Sequence, residues 1–313
     1  SNINNTWQFD KALKIVLKNL MEDTHRKLIN ASEKNATDFI PILMRILEFK
    51  EVDPNYFVRD YTALLYACEK NRIYIVKILL QNPKINVNLC SLKDRNTPLM
   101  VSILNDNFEI AKMLIDDQRT NLNATNFDNI SALILTVNKQ LKNIVDLIIH
   151  DERFDPEESN INDAFYFSYG NISCLLSSIK SIDVNHQHEK TYEKNFFGNY
   201  LFSDDIEQNV NFKFTTALLD SVEKNDIKKV DLIINHPSFD KAKSQLIKSI
   251  FTAVEKGHFE IFKKLIKIND DDVNICDSNR KILLNFAVVN NRVEIVDYIL
   301  DNQNFDPTIC DIF

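Results

Sequence analysis

Few residues in this chain have the type and spacing to do chemistry, and they are scattered. His186-Gln187-His188-Glu189 places two imidazoles beside a carboxylate, donor types that bind zinc. A zinc site needs further ligands at a familiar spacing, and none accompanies this group, so the pair reads as solvated loop histidines. Asp270-Asp271-Asp272 offers oxygen ligands of the kind calcium takes, without the alternating donors and central glycine of a calcium loop. It reads as an exposed loop. Cys68, Cys90, Cys174, Cys276 and Cys310 contain no C-x-x-C pair. Their odd number argues against a disulfide framework and for a reducing, cytoplasmic setting. No Cys/His pair has the third group that a nucleophilic site requires.

Glycine makes the sharpest exclusion. The three glycines, Gly170, Gly198 and Gly257, stand far apart. Phosphate-cradling loops and the G-x-S-x-G elbow each need at least two glycines close together, so none is present. Neither an enzymatic activity nor a cofactor or metal is expected. The formal net charge of −8 gives no basic footprint for nucleic acid. No apolar run approaches the ~18 residues of a membrane span, so no membrane insertion is expected. The opening "SNINNTWQFDK" lacks the basic-then-apolar layout of a secretory signal.

What organises the chain is repetition. "TALLYACEKNRIYIVKILLQNPKINVN" from Thr62 returns as "TPLMVSILNDNFEIAKMLIDDQRTNLN" from Thr97, and again with other letters. Units start near Arg26, Thr62, Thr97, Ser131, Asn162, Thr216, Lys248 and Ile282, mostly 31 to 36 residues apart, with one interval of 54. A fixed period of about 33 residues is the mark of a solenoid. Each unit carries two short helical patterns. Leu64, Leu65 and Ala67 line a first helix, and Ile75, Val76 and Leu79 a second. The second trio returns as Ile110/Ala111/Leu114, Ile144/Val145/Ile148, Leu175/Leu176/Ile179, Ile261/Phe262/Leu265 and Ile295/Val296/Ile299. Helices this short do not persist alone and must pack on the next copy. Between the two lies a position that wants a left-handed backbone: Asn35, Asn71, Asp106, Gln140, Asn171, Asn225, Gly257 and Asn291. Asparagine tolerates that conformation next best to glycine, which explains how three glycines suffice. Cys90, Cys276 and Cys310 share one repeat position and are expected to be small buried fillers.

This layout resembles the ankyrin repeat, with its T-P-L-H-x-A opening and an I-V-x-x-L-L second helix. Thr97-Pro98-Leu99 matches the opening, and Thr62, Ser131 and Thr216 hold the Thr/Ser position. The resemblance covers about residues 26–313 with one interruption. Leu65, Met100, Ile134 and Leu219 replace the family's histidine, and most loop glycines are missing. The lost histidine implies weaker hydrogen bonding between repeats and a less rigid array. The expected architecture is an all-α ankyrin-repeat solenoid of about eight helix-turn-helix repeats. Residues 1–25 form an N-terminal capping helix, whose face is Phe9, Ala12, Leu13, Val16, Leu17 and Leu20. Repeats one to five occupy 26–185, an aromatic and acidic insertion loop 186–215, and repeats six to eight 216–313. At the far end "NQNFDPTICDIF" begins another loop without a polar capping helix, so either a partner covers that end or the natural chain continues.

The resemblance implies protein recognition by a scaffold, along its concave face and loop tips. Two alternatives are a structural component of a cytoskeletal or microtubule-associated assembly and a regulatory ankyrin segment of a larger protein. Candidate contact residues are Tyr56, Phe57, Arg59 and Tyr61 before the second unit, Lys93 and Arg95 before the third, and Phe127 and Asp128 before the fourth. Aromatic rings beside arginine are the pairing that hot spots are built from. The insertion adds Phe196, Phe197 and Tyr200, either as a second anchor or as rings folded back over the neighbouring repeats.

Overall fold

The computed structural model describes Leu47 and residues 53–57, 60–189, 214–278 and 280–308. The expected capping helix, most of the first repeat and the interior of the insertion lie outside the described residues. Within them the chain writes seven helix pairs. These are α1 Ala63–Glu69 with α2 Ile73–Gln81, α3 Pro98–Leu104 with α4 Phe108–Asp116, and α5 Ala132–Asn138 with α6 Lys142–Ile149. Then come α7 Ile161–Phe167 with α8 Asn171–Leu176, α9 Ala217–Glu223 with α10 Ile227–Ile234, α11 Leu246–Lys256 with α12 Phe259–Ile268, and α13 Leu283–Val289 with α14 Val293–Leu300. Two compact units emerge: Ser1–Leu135 with Asp151–Phe154, and Thr136–His150 with Asp155–Phe313.

Local chemistry starts and stops each helix. The hydroxyls of Thr62, Thr97, Ser131 and Thr216 accept the backbone N–H three residues on, at 3.2 to 3.3 Å, capping the first helix of their repeats. The left-handed residue expected after that helix is present: Asn71, Asp106, Gln140, Asn225, Gly257 and Asn291 all have φ between 55° and 77°. The N–H that follows each reaches back five residues, as in Asn107 to the Ser102 carbonyl at 2.8 Å. That bond closes the helix and turns the chain into its partner.

In each unit first helices pack on first helices and second on second. The predicted trios supply this contact, with Val76, Ile110, Ala111, Leu114, Val145, Ile148, Ile261, Phe262 and Leu265 all buried. One repeat departs. In α8 the buried residues are Ile172, Ser173 and Leu176, so the expected trio of Leu175, Leu176 and Ile179 is out of register. The positive φ falls on Gly170 rather than Asn171, which opens α8 instead.

Hydrogen bonds between repeats come from asparagine. Asn88 donates Nδ2 to the Arg119 carbonyl at 2.8 Å and accepts the Asn121 N–H at 2.8 Å. Asn55 brackets Lys84 and Asn86 in the same way, Asn185 brackets Ser238 and Asp240, and Asn274 brackets Asn304 and Asp306. An Asp or Asn two residues earlier accepts the bracketing residue's own N–H, holding it in an Asx turn. Arginine supplies a second staple. Arg119 pairs with Asp117 at 2.6 Å and donates to the carbonyls of Leu80 and Asn82, and Arg153 repeats this with Asp151, Ile115, Asp117 and Thr120. These cations meet the exposed carbonyls at the ends of α2 and α4, where the helix dipole favours positive charge. Where the family's histidine is missing, Leu65, Met100, Ile134 and Leu219 are buried apolar side chains.

The insertion's ends are not free loop. β1 Gln187–Glu189 pairs antiparallel with β2 Phe214–Thr216, setting His188 opposite Thr215. Cys90 is half-buried and Cys276 exposed, so the latter is not a buried filler; Cys310 lies outside the described residues.

Candidate functional site

The candidate surface in the first unit is built on short fingers that lead into each first helix. In one, the Ser91 N–H bonds to the Asn96 carbonyl at 2.9 Å; in the next, Asn126 N–H meets the Ile130 carbonyl at 3.1 Å. The tips lean on one another through the backbone. Asp60 accepts the N–H of Leu92 with its carbonyl and that of Lys93 with its carboxylate, and the Asp94 carbonyl accepts the N–H of Phe127. Successive tips therefore form a fixed row.

Along that row Tyr56, Leu92 and Phe127 are 42%, 59% and 66% exposed, and Lys93, Arg95 and Asp128 are exposed beside them. The Arg95 guanidinium stands 6.0 Å from the centre of the Phe127 ring, within cation–π range. Arg95 holds φ at 58°, a left-handed conformation that costs a residue with a Cβ about 1–2 kcal/mol. Phe57 and Tyr61 are half-buried at the base. Burial, and then the charges of Glu69, Asp60 and Asp94, push the Tyr61 phenol up. Leu92 escaped the sequence reading, although an apolar residue between Ser91 and Lys93 at a turn is a visible signal. Arg59, Phe196, Phe197 and Tyr200 lie outside the described residues.

In the second unit the histidine pair is not a solvated loop. Pleating puts His186 and His188 on one side of the chain, and both reach Asp163 Oδ1, Nε2 of His186 at 3.3 Å and Nδ1 of His188 at 2.9 Å. His188 is buried, stacked on Tyr166 at 4.3 Å and edge-on to Phe167. Burial works to raise the Asp163 carboxyl, but hydrogen bonds from both imidazoles and their charges outweigh it and hold the group far below the carboxylate range. The same hydrogen bond, outweighing burial, raises His186 above its ordinary value.

Beneath Tyr166 lies Lys229, 3% exposed, with Nζ 2.6 Å from the carbonyls of Tyr166 and of Ser168. Burial drives its ammonium down to about 7 against the attraction of Asp220. Lys229 occupies the position where other repeats carry Ile75, Ile110, Ile144, Ile261 and Ile295, which is the signal that could have found it. Among the described residues no group of three or more His, Cys, Asp or Glu is arranged to hold a metal ion. The cluster is hydrogen-bonded and packed. Asp270, Asp271 and Asp272 are exposed in a loop, Asp270 paired with Lys241 at 2.9 Å.

These observations describe stacked helix pairs presenting fingers, and comparison with known proteins agrees. A family model described as ankyrin repeats matches residues 28–126 and 218–311, more than half of the chain. The chain belongs to the ankyrin-repeat family. A search of curated proteins gave no match. Among solved structures it is similar to the ankyrin repeat domain of Bcl-3, described as a member of the IkappaB protein family, at 15% identity and a TM-score of 0.53. That alignment covers 76% of this chain and 98% of the other. The ankyrin repeat domain of human ASB11 aligns at 14% identity with a TM-score of 0.49, over 75% of this chain and 98% of that one. Likeness at such identities concerns the fold alone. No helix among the described residues is long and apolar enough to cross a membrane.

Proposed function

We propose that the chain is a non-enzymatic recognition scaffold that holds a protein partner on the fingertip row of its first unit and the adjoining first-helix faces. Proteins of this family generally mediate protein–protein interaction, and the row supplies what such contact needs. The observation that carries the reading is the pair Arg95 and Phe127. An arginine sits where glycine would relieve the backbone, and its guanidinium faces a ring that is two-thirds exposed. Strain kept for the sake of a side chain points to use of that side chain. Aromatic and arginine side chains dominate binding energy at interfaces.

The test is a native pull-down from the source cell with two variants, each checked for unchanged helical content. Arg95→Glu with Phe127→Ser is expected to lose the partner, and Phe196→Ser with Phe197→Ser to keep it. Undiminished capture by the first variant overturns the fingertip reading, and loss confined to the second moves the surface to the insertion.

A further inference from the structure

The arginine staples of the first unit define a repeat position that the second unit fills with shorter side chains. Arg119 Nη2 lies 2.7 Å from the Leu80 carbonyl and 2.6 Å from Asp117 Oδ2, bridging the end of α2 to the turn after α4. Arg153 makes the same bridge one repeat on, from the Ile115 and Thr120 carbonyls to Asp151. Hydrogen bonds fix the register of this turn in the second unit. The N–H groups of Ile85, Thr120, Ile182 and Phe239 each bond to the carbonyl three residues back. Counted from them, Leu80 corresponds to Ser177, Asp117 to His236 and Arg119 to Ser238. The Ser238 N–H meets His236 Nδ1 at 3.2 Å as the Arg119 N–H meets Asp117 Oδ1 at 3.0 Å. Ser181, Asp270 and Asn304 hold the remaining arginine positions; Asp270 pairs with Lys241, and Asn304 Nδ2 reaches the Asp271 carbonyl at 3.2 Å.

Between Ser177 and His236, the counterparts of the two groups that Arg119 bridges, a groove of about 370 Å³ opens. Asp231, Leu232, Asn235 and Pro237 complete its wall. Its cause is local: α8 has six residues where α2 and α4 have nine, and Ser238 is too short to span the gap. Ser238 Oγ reaches the Ile182 carbonyl at 3.0 Å, the counterpart of the Thr120 carbonyl that Arg153 meets. At the end of α8 the carbonyls of Cys174, Leu175 and Leu176 are taken by Ser177 Oγ, Ser178 Oγ and the Ile179 N–H. The Ser177 carbonyl accepts no hydrogen bond among the described residues. Asp231 gives Oδ1 to Lys264 Nζ at 2.7 Å, and its Oδ2 accepts none among them. Where Asp117 and Asp151 pair with an arginine, His236 stands, so the carboxylate of this groove comes instead from Asp231, a turn earlier on α10. Both oxygens lie by the carbonyl ends of helices, where the helix dipole favours a cation.

We propose that this groove binds an arginine side chain of a partner polypeptide, its guanidinium between the Ser177 carbonyl and Asp231 Oδ2 and its stem along Leu232 and Pro237. A planar guanidinium serves several acceptors at once, as Arg119 and Arg153 do, whereas an ammonium is a compact, strongly hydrated charge. The insertion between β1 and β2 contains no arginine, so the neighbouring segment of this chain does not supply one. Free arginine would bring its own carboxylate against the same oxygens, and like charges disfavour that. The inference uses none of the fingertip residues and stands if that reading fails.

The probe is N-acetyl-arginine N-methylamide, titrated into the full chain and followed by NMR. It is expected to shift the amides of Ser177, Ser178, Asn235 and His236 saturably, with a Kd of about 1 mM. The citrulline analogue, which keeps the shape without the charge, is expected to bind more than about tenfold more weakly, and Asp231→Asn to weaken the arginine probe about fivefold. His236→Asp with Ser238→Arg restores the first unit's Asp-x-Arg pair. It is expected to abolish the response and to raise the melting temperature by about 2 °C. Absence of saturation at the solubility limit of the probe overturns the proposal, as does an equal response to the citrulline analogue. Unchanged affinity in Asp231→Asn or an undiminished response in the double variant overturns it too. Tighter binding of free arginine assigns the groove to a small guanidino compound, and groove shifts on dilution of the chain alone assign it to a second copy; either result overturns the proposal.

Discussion

At the scale of single residues, two positions separate what the backbone wants from what a side chain does. Arg95 at φ 58° is expected to gain from glycine. Removing the Cβ clash is worth about 1–2 kcal/mol and the extra freedom of unfolded glycine costs about 0.5–1, so Arg95→Gly should stabilise by up to about 1.5 kcal/mol. Urea denaturation measures this, and a loss of stability would mean that the contact with Phe127 outweighs the strain. The second position is Lys229. Its folded value near 7 lies below its ordinary value of 10.5, so the unfolded chain holds the proton more tightly between the two. Raising the pH through that window therefore favours the folded state. His186 acts oppositely: its folded value is raised, so its contribution is complete below about 6.5 and fades as pH rises through that raised value. Lys229→Met should flatten the upward part of the stability profile above pH ~7, and Asp163→Asn should return His186 to its ordinary titration by NMR. An identical profile in Lys229→Met would show that the amine carries no such penalty.

At the scale of elements, the helix pairs were legible because their causes are local. A Thr or Ser accepts an N–H three residues on, an apolar trio follows at helical spacing, and an Asn, Asp or Gln turns left-handed between the helices. Where the local text failed, a distant contact had decided the matter. His188 sits opposite Thr215 across the whole insertion, and no neighbour in sequence announces that a polar His-Gln-His run is a strand with one ring buried. The register of α8 slipped because Gly170, not Asn171, takes the positive φ, which moves every side chain after it. The asparagine brackets were visible as "NVN", "NLN" and "DVN", but as loop markers rather than as bonds between repeats. Each bracket replaces water at two backbone groups that would otherwise lack a protein partner. Asn88→Ala should cost about 1–3 kcal/mol, comparable with two net hydrogen bonds. Leu265→Ala, which empties a buried site, should cost about 2–5 kcal/mol. Chemical denaturation of the two variants tests this order, and a bracket variant indistinguishable from wild type would assign inter-repeat cohesion to apolar packing alone.

At the scale of the whole molecule, charge narrows the class of partner. Specific and non-specific nucleic-acid binding alike draw on release of counterions by clustered Lys and Arg. The chain carries 45 acidic against 37 basic side chains, a net of −8, and three of its nine arginines are occupied within the fold. Arg119 and Arg153 are bound to Asp117 and Asp151 and to helix-end carbonyls, and Arg292 to the end of α11. Lys93 and Arg95 remain on the fingertip row, beside Asp94 and Asp128. Two cations flanked by two carboxylates would release about two counterions, against the six to ten phosphate contacts that make a typical binder. Filter binding with duplex DNA and single-stranded RNA at ~150 mM salt should therefore show no retention, and lowering the salt to ~50 mM should recover little. A tight complex whose affinity falls steeply with salt would mean that cations away from the fingertip row form a basic surface, and it would replace a protein partner with a nucleic acid. A flat, weak response leaves recognition to the aromatic and aliphatic side chains of the tips, whose contribution is nearly independent of salt.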